Sequence, residues 1–360
     1  MFVADLHNDV LQRAYVGEDI TKETKNGHSD LIRLHQSCID LEVFVIWTPK
    51  DSDNLNPFTK AKEFYEKLVL LEKNNNIKIT TNLAEIEESK KNNVLAIPFS
   101  IEGGEFINNK IENLHYFIEK GLFYFGPTWN NSLDWVSSNY DEKHNRKNIK
   151  FFGISKFGEE IINTCIENSV IIDVSHLGEK SFWDLEKISS QPILASHSSV
   201  YNICPHHRNL KDEQIIAIKN SEGLIGLNPY PYFIDKDFAL KEKKFRESFI
   251  NELNEKFLLS NKSISNWLDK QHFLQKKLNA ITPSIDVFID HIEYIINLIG
   301  IDYVGIGSDY DGLDCLPKEM NDCKDHIKII ERLDSRGYKQ NEIEKIMGLN
   351  LLRLVESIKG

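Results

Sequence analysis

Metal-capable side chains occur here in a recurring context. His7-x-Asp9 lies near the amino end, and His176 in DVSH and His197 in ASHSS each follow an apolar run. Alternate residues of an extended segment point to one side, so His7 and Asp9 share a face. Imidazole nitrogen together with carboxylate oxygen suits Zn²⁺ or a similar borderline divalent ion. Glu102, in SIEGG, adds a carboxylate able to bridge two ions, and Gly103 and Gly104 give the backbone a tight path behind it. Taken singly, each has an ordinary structural reading as a polar strand end, an acid beside a glycine turn or a hydrogen-bonded core histidine. Two ligand sets with one shared acid are instead the composition of a two-metal hydrolase site. There a hydroxide held between ions about 3.5 Å apart attacks a carbonyl or phosphoryl centre. Asp309, in GIGSDYDG, is placed to take the proton from that water and deliver it to a leaving group. As a plain turn aspartate it would sit in a D-x-D-G sequence that resembles half a calcium loop without the downstream ligands. Arg208, in HHR, has the planar fork that clamps a carboxylate, or it is a surface arginine paired with a loop acid.

The elements that must carry these residues follow from hydrophobic patterning. Short apolar runs rich in β-branched and aromatic residues occur at Val3 to Leu6, Leu41 to Trp47, Val94 to Ser100, Leu122 to Gly126, Val170 to Val174, Ile193 to Ser196, Leu224 to Leu227 and Tyr303 to Gly307. Near-continuous apolar runs of this kind read as strands covered on both faces, as in a parallel sheet. Helical period lies between them, at Phe58 to Lys73, Ile111 to Lys120, Lys156 to Asn168, Glu179 to Ser189, Asp212 to Asn220 and Ile285 to Ile299. Repeated strand and helix predict an α/β fold, a single (β/α)₈ TIM barrel over residues 1–360 with NLLRLVESIKG as a closing helix. His7, Asp9, Glu102, His176, His197 and Asp309 all fall at carboxyl ends of these strands, the face where barrel enzymes hold their active sites. Residues 129–152 and 231–282 depart from the repeat and read as loop insertions on that face.

Composition narrows the function further. The 360 residues carry 43 Lys plus Arg against 55 Asp plus Glu, a net charge of −12, which disfavours a nucleic-acid partner. With 41% apolar and 27% charged residues the chain can bury a large core. Five scattered cysteines without a CxxC pair indicate neither a disulfide framework nor a zinc ribbon and fit a reducing compartment. The start, MFVADLHND, lacks a signal-peptide pattern, and no stretch approaches a membrane span, so the expectation is a cytoplasmic protein without membrane association. Dinucleotide, P-loop and serine-hydrolase readings lack their GxGxxG, GxxxxGK[ST] and GxSxG anchors.

In order along the chain, DLHNDVL (5–11), SIEGG (100–104), DVSH (173–176), SHSSVYNIC with HHRN (196–209), GIGSDYDG (305–312) and GLNLLRLVE (348–356) resemble the membrane dipeptidase, or renal dipeptidase, family of zinc metallopeptidases in its soluble bacterial form. The resemblance implies a barrel of the metal-dependent hydrolase type with two Zn²⁺ per chain, acting on dipeptides. By motif, His7 and Asp9 would bind one zinc, His176 and His197 the other, and Glu102 would bridge them. Asp309 would be the acid/base, Arg208 would hold the free carboxylate of a dipeptide, and Tyr230 would lie at the substrate, with Tyr232 almost as good a match. The family's tendency also implies a homodimer.

One position departs from the family pattern. Where a Thr-His pair commonly follows the fourth strand, its histidine polarising the reacting carbonyl, this chain reads PTWNNS, with Trp129 in that place. Tryptophan donates one N–H and carries no charge. The loss of an oxyanion donor typically costs about 10² to 10³ in turnover. Beside the dipeptidase stand two alternatives: a related binuclear hydrolase acting on another amide, a lactone or a lactam, and a non-catalytic metal-binding scaffold.

Overall fold

The computed structural model describes residues 1–48, 55–257 and 264–360. Its strands are β1 (Ala4–Asn8), β2 (Leu41–Trp47), β3 (Ile77–Lys78), β4 (Leu95–Ala96), β5 (Phe99–Glu102), β6 (Tyr124–Gly126), β7 (Ile171–Asp173), β8 (Ile193–Ser198), β9 (Leu224–Leu227) and β10 (Val304–Ile306). All pair in parallel in the order β10-β9-β8-β7-β6-β5-β2, with β1 on β2 and with β4 and β3 extending from the start of β2. The sheet curls until its first and last strands meet. Asn8 bridges Tyr310, the Asp9 N–H donates to Tyr310 O at 2.8 Å, and the Asp309 N–H donates to His7 O at 3.0 Å. Helices surround this curled sheet, giving the expected (β/α)₈ barrel.

The two-residue period of the strands separates two apolar layers. Leu41, Val43 and Val45 of β2 belong to one buried cluster with Leu6, Tyr124, Ile171, Leu194 and Leu224, the packed interior. Phe44 and Ile46 belong to another, shared with the surrounding helices. The closing helix, Asn350–Lys359, puts Leu351, Leu354 and Val355 into the interior cluster. The interior is tight beside the site: a side chain at Gly307 would collide with the backbone carbonyl of Ser196.

Helices Pro57–Asn74, Asp212–Asn220 and Ile285–Ile299 match their expected spans at or within one residue of each end. The third apolar run differs. It breaks into β4 and β5 around Ile97 and Pro98, because proline has no N–H for the ladder and restricts the residue before it. Helices Leu83–Lys91 and His326–Ser335 were not expected; the first buries only Ile86 and Ser89, which leaves little apolar period to read.

Residues 129–152 form bridges from Val136 to Leu133 and Ile154 and a short helix, Asn139–His144, capped by the Ser138 hydroxyl. Within 231–282, helices Pro231–Ile234, Phe238–Arg246, Ile250–Phe257 and Ile264–Leu278 appear, with a small core of Phe238, Phe249, Leu253, Leu274 and Leu278. Residues 258–263 of that insertion lie outside the described residues. Among the described residues, no helix is long and apolar enough to cross a membrane.

Candidate active site

The curled sheet brings the dispersed polar residues to one end. His7 lies in β1, Glu102 is the last residue of β5 and His197 lies in β8. Asp9, His176 and Asp309 follow β1, β7 and β10 within three residues, and all six are buried. Glu102 Oε1 sits among three imidazoles, 3.1 Å from His176 Nε2, 3.4 Å from His197 Nε2 and 3.9 Å from His7 Nε2. The Nε2 atoms of His176 and His197 are 3.2 Å apart, and His7 Nε2 is 3.6 Å from Asp9 Oδ2. Barrel closure then lays Asp309 beside His7 and Asp9. It holds a positive φ of 57°, which aspartate tolerates better than most residues.

Two observations test whether these groups suit metal ions. Among the described residues, His7 Nε2 and Glu102 Oε1 are buried without a hydrogen-bond partner, a costly state for polar atoms that a cation would relieve. One ligand atom each from His7, Glu102 and His197 lie within 4.8 Å of one another, as do atoms of His7, Asp9 and Asp309. The donor set of imidazoles and carboxylates fits Zn²⁺.

Charge tells the same story. Burial alone would depress His7, yet the carboxylates of Asp9, Glu102 and Asp309 outweigh it and hold the imidazole up at about 10. Asp309 is pushed up to about 8 by burial, with Asp9 and Glu102 adding to the rise. Burial and the Arg208 cation bring His176 down to about 4. The acids crowded around His7 are thus what raises it, while His176, beside the Arg208 cation, moves the other way.

Surrounding side chains aim the ligands. His7 Nδ1 is 2.7 Å from the Tyr124 hydroxyl, whose hydrogen goes to Leu6 O at 3.1 Å. Nδ1 therefore carries a hydrogen, and Nε2 faces the carboxylates. Gln12 donates to Asp9 Oδ1 at 2.7 Å, and Asn228 donates to Asp309 Oδ2 at 3.0 Å. None of these three was singled out from sequence. Their polar types in apolar surroundings are the available signal, but the partners of Tyr124 and Asn228 lie 117 and 81 residues away.

A cavity of about 320 Å³ opens onto Asp9, Glu102, His176 and Asp309. Arg208, Trp129, Tyr230 and Tyr232 also line it, so both tyrosine candidates reach the site. Tyr230 donates its hydroxyl to Asp314 Oδ1 at 2.9 Å. Arg208 is buried, contrary to a surface role; its guanidinium bonds the carbonyls of Ser175 and His197 and lies 5.5 Å over Phe233. Among the described residues it forms no ion pair. Trp129 packs edge-on to Trp47, 4.8 Å between ring centroids, and lies 6.4 Å from His176. Trp267, from the second insertion, stands 5.5 Å from Trp47 and completes an aromatic wall that sequence reading did not anticipate.

Comparison with known proteins identifies the family. An uncharacterized protein in the PQQ-III 3′ region of Acinetobacter calcoaceticus is 31% identical over 260 residues, covering 65% of this chain and 82% of that protein. The crystal structure of dipeptidase AC, a metallopeptidase of family M19, superposes with a TM-score of 0.80 at 23% identity, covering 100% of this chain and 99% of that one. A metallopeptidase from Rhodobacter sphaeroides, liganded with a phosphinate mimic of the dipeptide L-Ala-D-Ala, superposes with a TM-score of 0.79 at 22% identity, covering 99% of both chains. The profile of the membrane dipeptidase family, peptidase family M19, matches residues 1–360. The chain therefore belongs to the membrane dipeptidase family and is an enzyme of its metallo-dipeptidase class.

Proposed function

We propose that this enzyme hydrolyses the peptide bond of dipeptides with two Zn²⁺ ions per chain, within one barrel domain spanning residues 1–360. His7 and Asp9 would hold one ion, His176 and His197 the other, and Glu102 would bridge them. Metal ions held there would supply Lewis acidity for the peptide carbonyl and make the attacking water easier to deprotonate. Asp309 takes the proton released in the attack and gives it to the leaving amine nitrogen, held for that task by Asn228. Arg208 pairs with the free carboxylate of the substrate, which sets the distance from that carboxylate to the scissile bond.

The observation that carries the reading is the pairing of two features in one cavity. Glu102 and His176, each with a buried polar atom that has no hydrogen-bond partner among the described residues, line it, and so does the buried Arg208 guanidinium, which forms no ion pair among them. A dipeptide presents the complementary groups, a peptide carbonyl and a carboxylate a few bonds apart. The bound dipeptide mimic named for the Rhodobacter sphaeroides protein supports the same substrate size. A panel of dipeptides and their carboxyl-amidated forms, assayed with and without added Zn²⁺, tests it. Metal-dependent cleavage of the free acids is expected; cleavage that ignores both metal and carboxylate would end the reading.

One observation favours a second reading, a hydrolase of another amide, a lactone or a lactam. Trp129 stands at the wall beside His176, so an indole occupies the place of a chargeable donor. The same assay with cyclic amides and lactones separates the two.

A further inference from the structure

β7 and β8 end side by side, and the last residue of β7, Asp173, reaches across to β8. Its buried carboxylate accepts four hydrogen bonds. Oδ1 takes the Ser175 N–H at 3.1 Å, the Ser175 hydroxyl at 2.7 Å and the Ser196 N–H at 2.8 Å. Oδ2 takes the Ser196 hydroxyl at 2.7 Å. Ser196 has one hydroxyl hydrogen, and it goes to Oδ2 of the Asp173 carboxylate. The lone pairs of Ser196 Oγ then face His197 Nδ1, 2.7 Å away, and Nδ1 must carry the imidazole hydrogen. His197 Nε2 is left as a bare lone pair at the centre, 3.4 Å from Glu102 Oε1 and 3.2 Å from His176 Nε2.

We propose that Asp173 and Ser196 form a relay that fixes the tautomer of His197, making Asp173 a positioning residue for the ion held by His176 and His197. The metal half of this inference rests on the proposed function; the tautomer half does not. The relay matters most at this pair because, among the described residues, His176 Nδ1 is buried without a partner that would orient the other imidazole in the same way. Groups that orient metal-bound histidines typically change affinity 10- to 100-fold.

An isosteric change reverses the relay. In Asp173→Asn the two backbone N–H groups that converge on Oδ1 keep the amide oxygen there, which turns the NH₂ toward Ser196 Oγ. The serine hydrogen must then leave that direction. His197 Nδ1 at 2.7 Å is a closer acceptor than Ser175 Oγ at 3.2 Å. The proton moves from Nδ1 to Nε2, and the lone pair no longer faces the centre.

The test is nitrogen NMR of ¹⁵N-histidine-labelled, metal-free protein, with the His197 signals assigned through His197→Gln, followed by Co²⁺ titration read by absorption. Wild type should show His197 protonated at Nδ1, and Asp173→Asn should show Nε2. The variant should also bind one of two Co²⁺ ions 10- to 100-fold more weakly and the other unchanged. Ser196→Ala, which keeps the three bonds to Asp173 Oδ1, should weaken the same ion similarly and keeps the proposal testable if Asp173→Asn does not fold. An unchanged Nδ1–H tautomer in Asp173→Asn, or unchanged Co²⁺ affinity with only a lower melting temperature, would overturn the relay. Wild type that takes up no Co²⁺ would instead overturn the metal reading, and the tautomer result would still decide the relay.

Discussion

The side-chain amide of Asn228, just past β9, donates to Asp309 Oδ2 at 3.0 Å, so one oxygen of the candidate acid/base is held where the residue lines the cavity. The bond joins residues 81 positions apart. It makes the proton-transfer role of Asp309 separable from its placement, and the first prediction uses that separation.

Asp309→Asn keeps the size of the side chain but cannot shuttle a proton. It should lower kcat by at least about 10²-fold with metal content unchanged, whereas Asn228→Ala should cost less and act through placement. Near-normal turnover in Asp309→Asn, with metals measured by atomic emission, would remove Asp309 from the chemistry.

Purified enzyme should carry about two divalent ions per chain, most often Zn²⁺, and a chelator should abolish activity until metal is restored. Glu102→Gln or His176→Ala should reduce the count. Full occupancy in a His7→Ala, His176→Ala double variant would show that the ligands lie elsewhere.

Arg208→Ala should raise KM strongly for dipeptides with a free carboxylate and change little for their amides, since only the former lose a charge-assisted pair. Its guanidinium also bonds the carbonyls of Ser175 and His197. An equal loss on both substrate types would assign it to holding those loops.

Trp129→His tests the aromatic wall. An imidazole there should raise kcat/KM for small L,L-dipeptides by restoring an oxyanion donor, and loss of the contact with Trp47 should reduce rates for bulky substrates. A uniform loss with metals intact would make Trp129 a packing residue only.

His291 predicts an acid-dependent loss of stability. Buried, it accepts from the Val200 N–H at 3.1 Å and donates to Ile234 O at 3.0 Å, and burial brings it down to about 4 from the ordinary 6.5. The folded state therefore prefers the neutral ring. Its contribution is complete above about pH 6.5 and is lost as pH falls toward 4, on the order of 3 kcal/mol at about 1.4 kcal/mol per pH unit. His291→Gln should be less stable at pH 7 in urea unfolding and should lose less between pH 6.5 and 4.5. Parallel losses in the two proteins would exclude His291 as the titrating group.

Strands and helices were legible because their signals are local. The apolar run Leu41–Trp47 and the caps and period of Asp212–Asn220 and Ile285–Ile299 depend on residues a few positions apart. Placement of His7, Asp9, Glu102, His176, His197 and Asp309 at strand ends followed from those boundaries and from barrel geometry, and the structure gathers all six at one end of the barrel. The contacts that aim them were not legible. Tyr124 meets His7 across 117 residues, Asp173 meets Ser196 across 23, and Trp267 joins the wall from an insertion with no barrel period. Each such distance is set by strand register and by how the sheet closes on itself. Register depends on packing summed over the whole interior, so tertiary structure alone decides which hydrogen bond turns which nitrogen toward the centre.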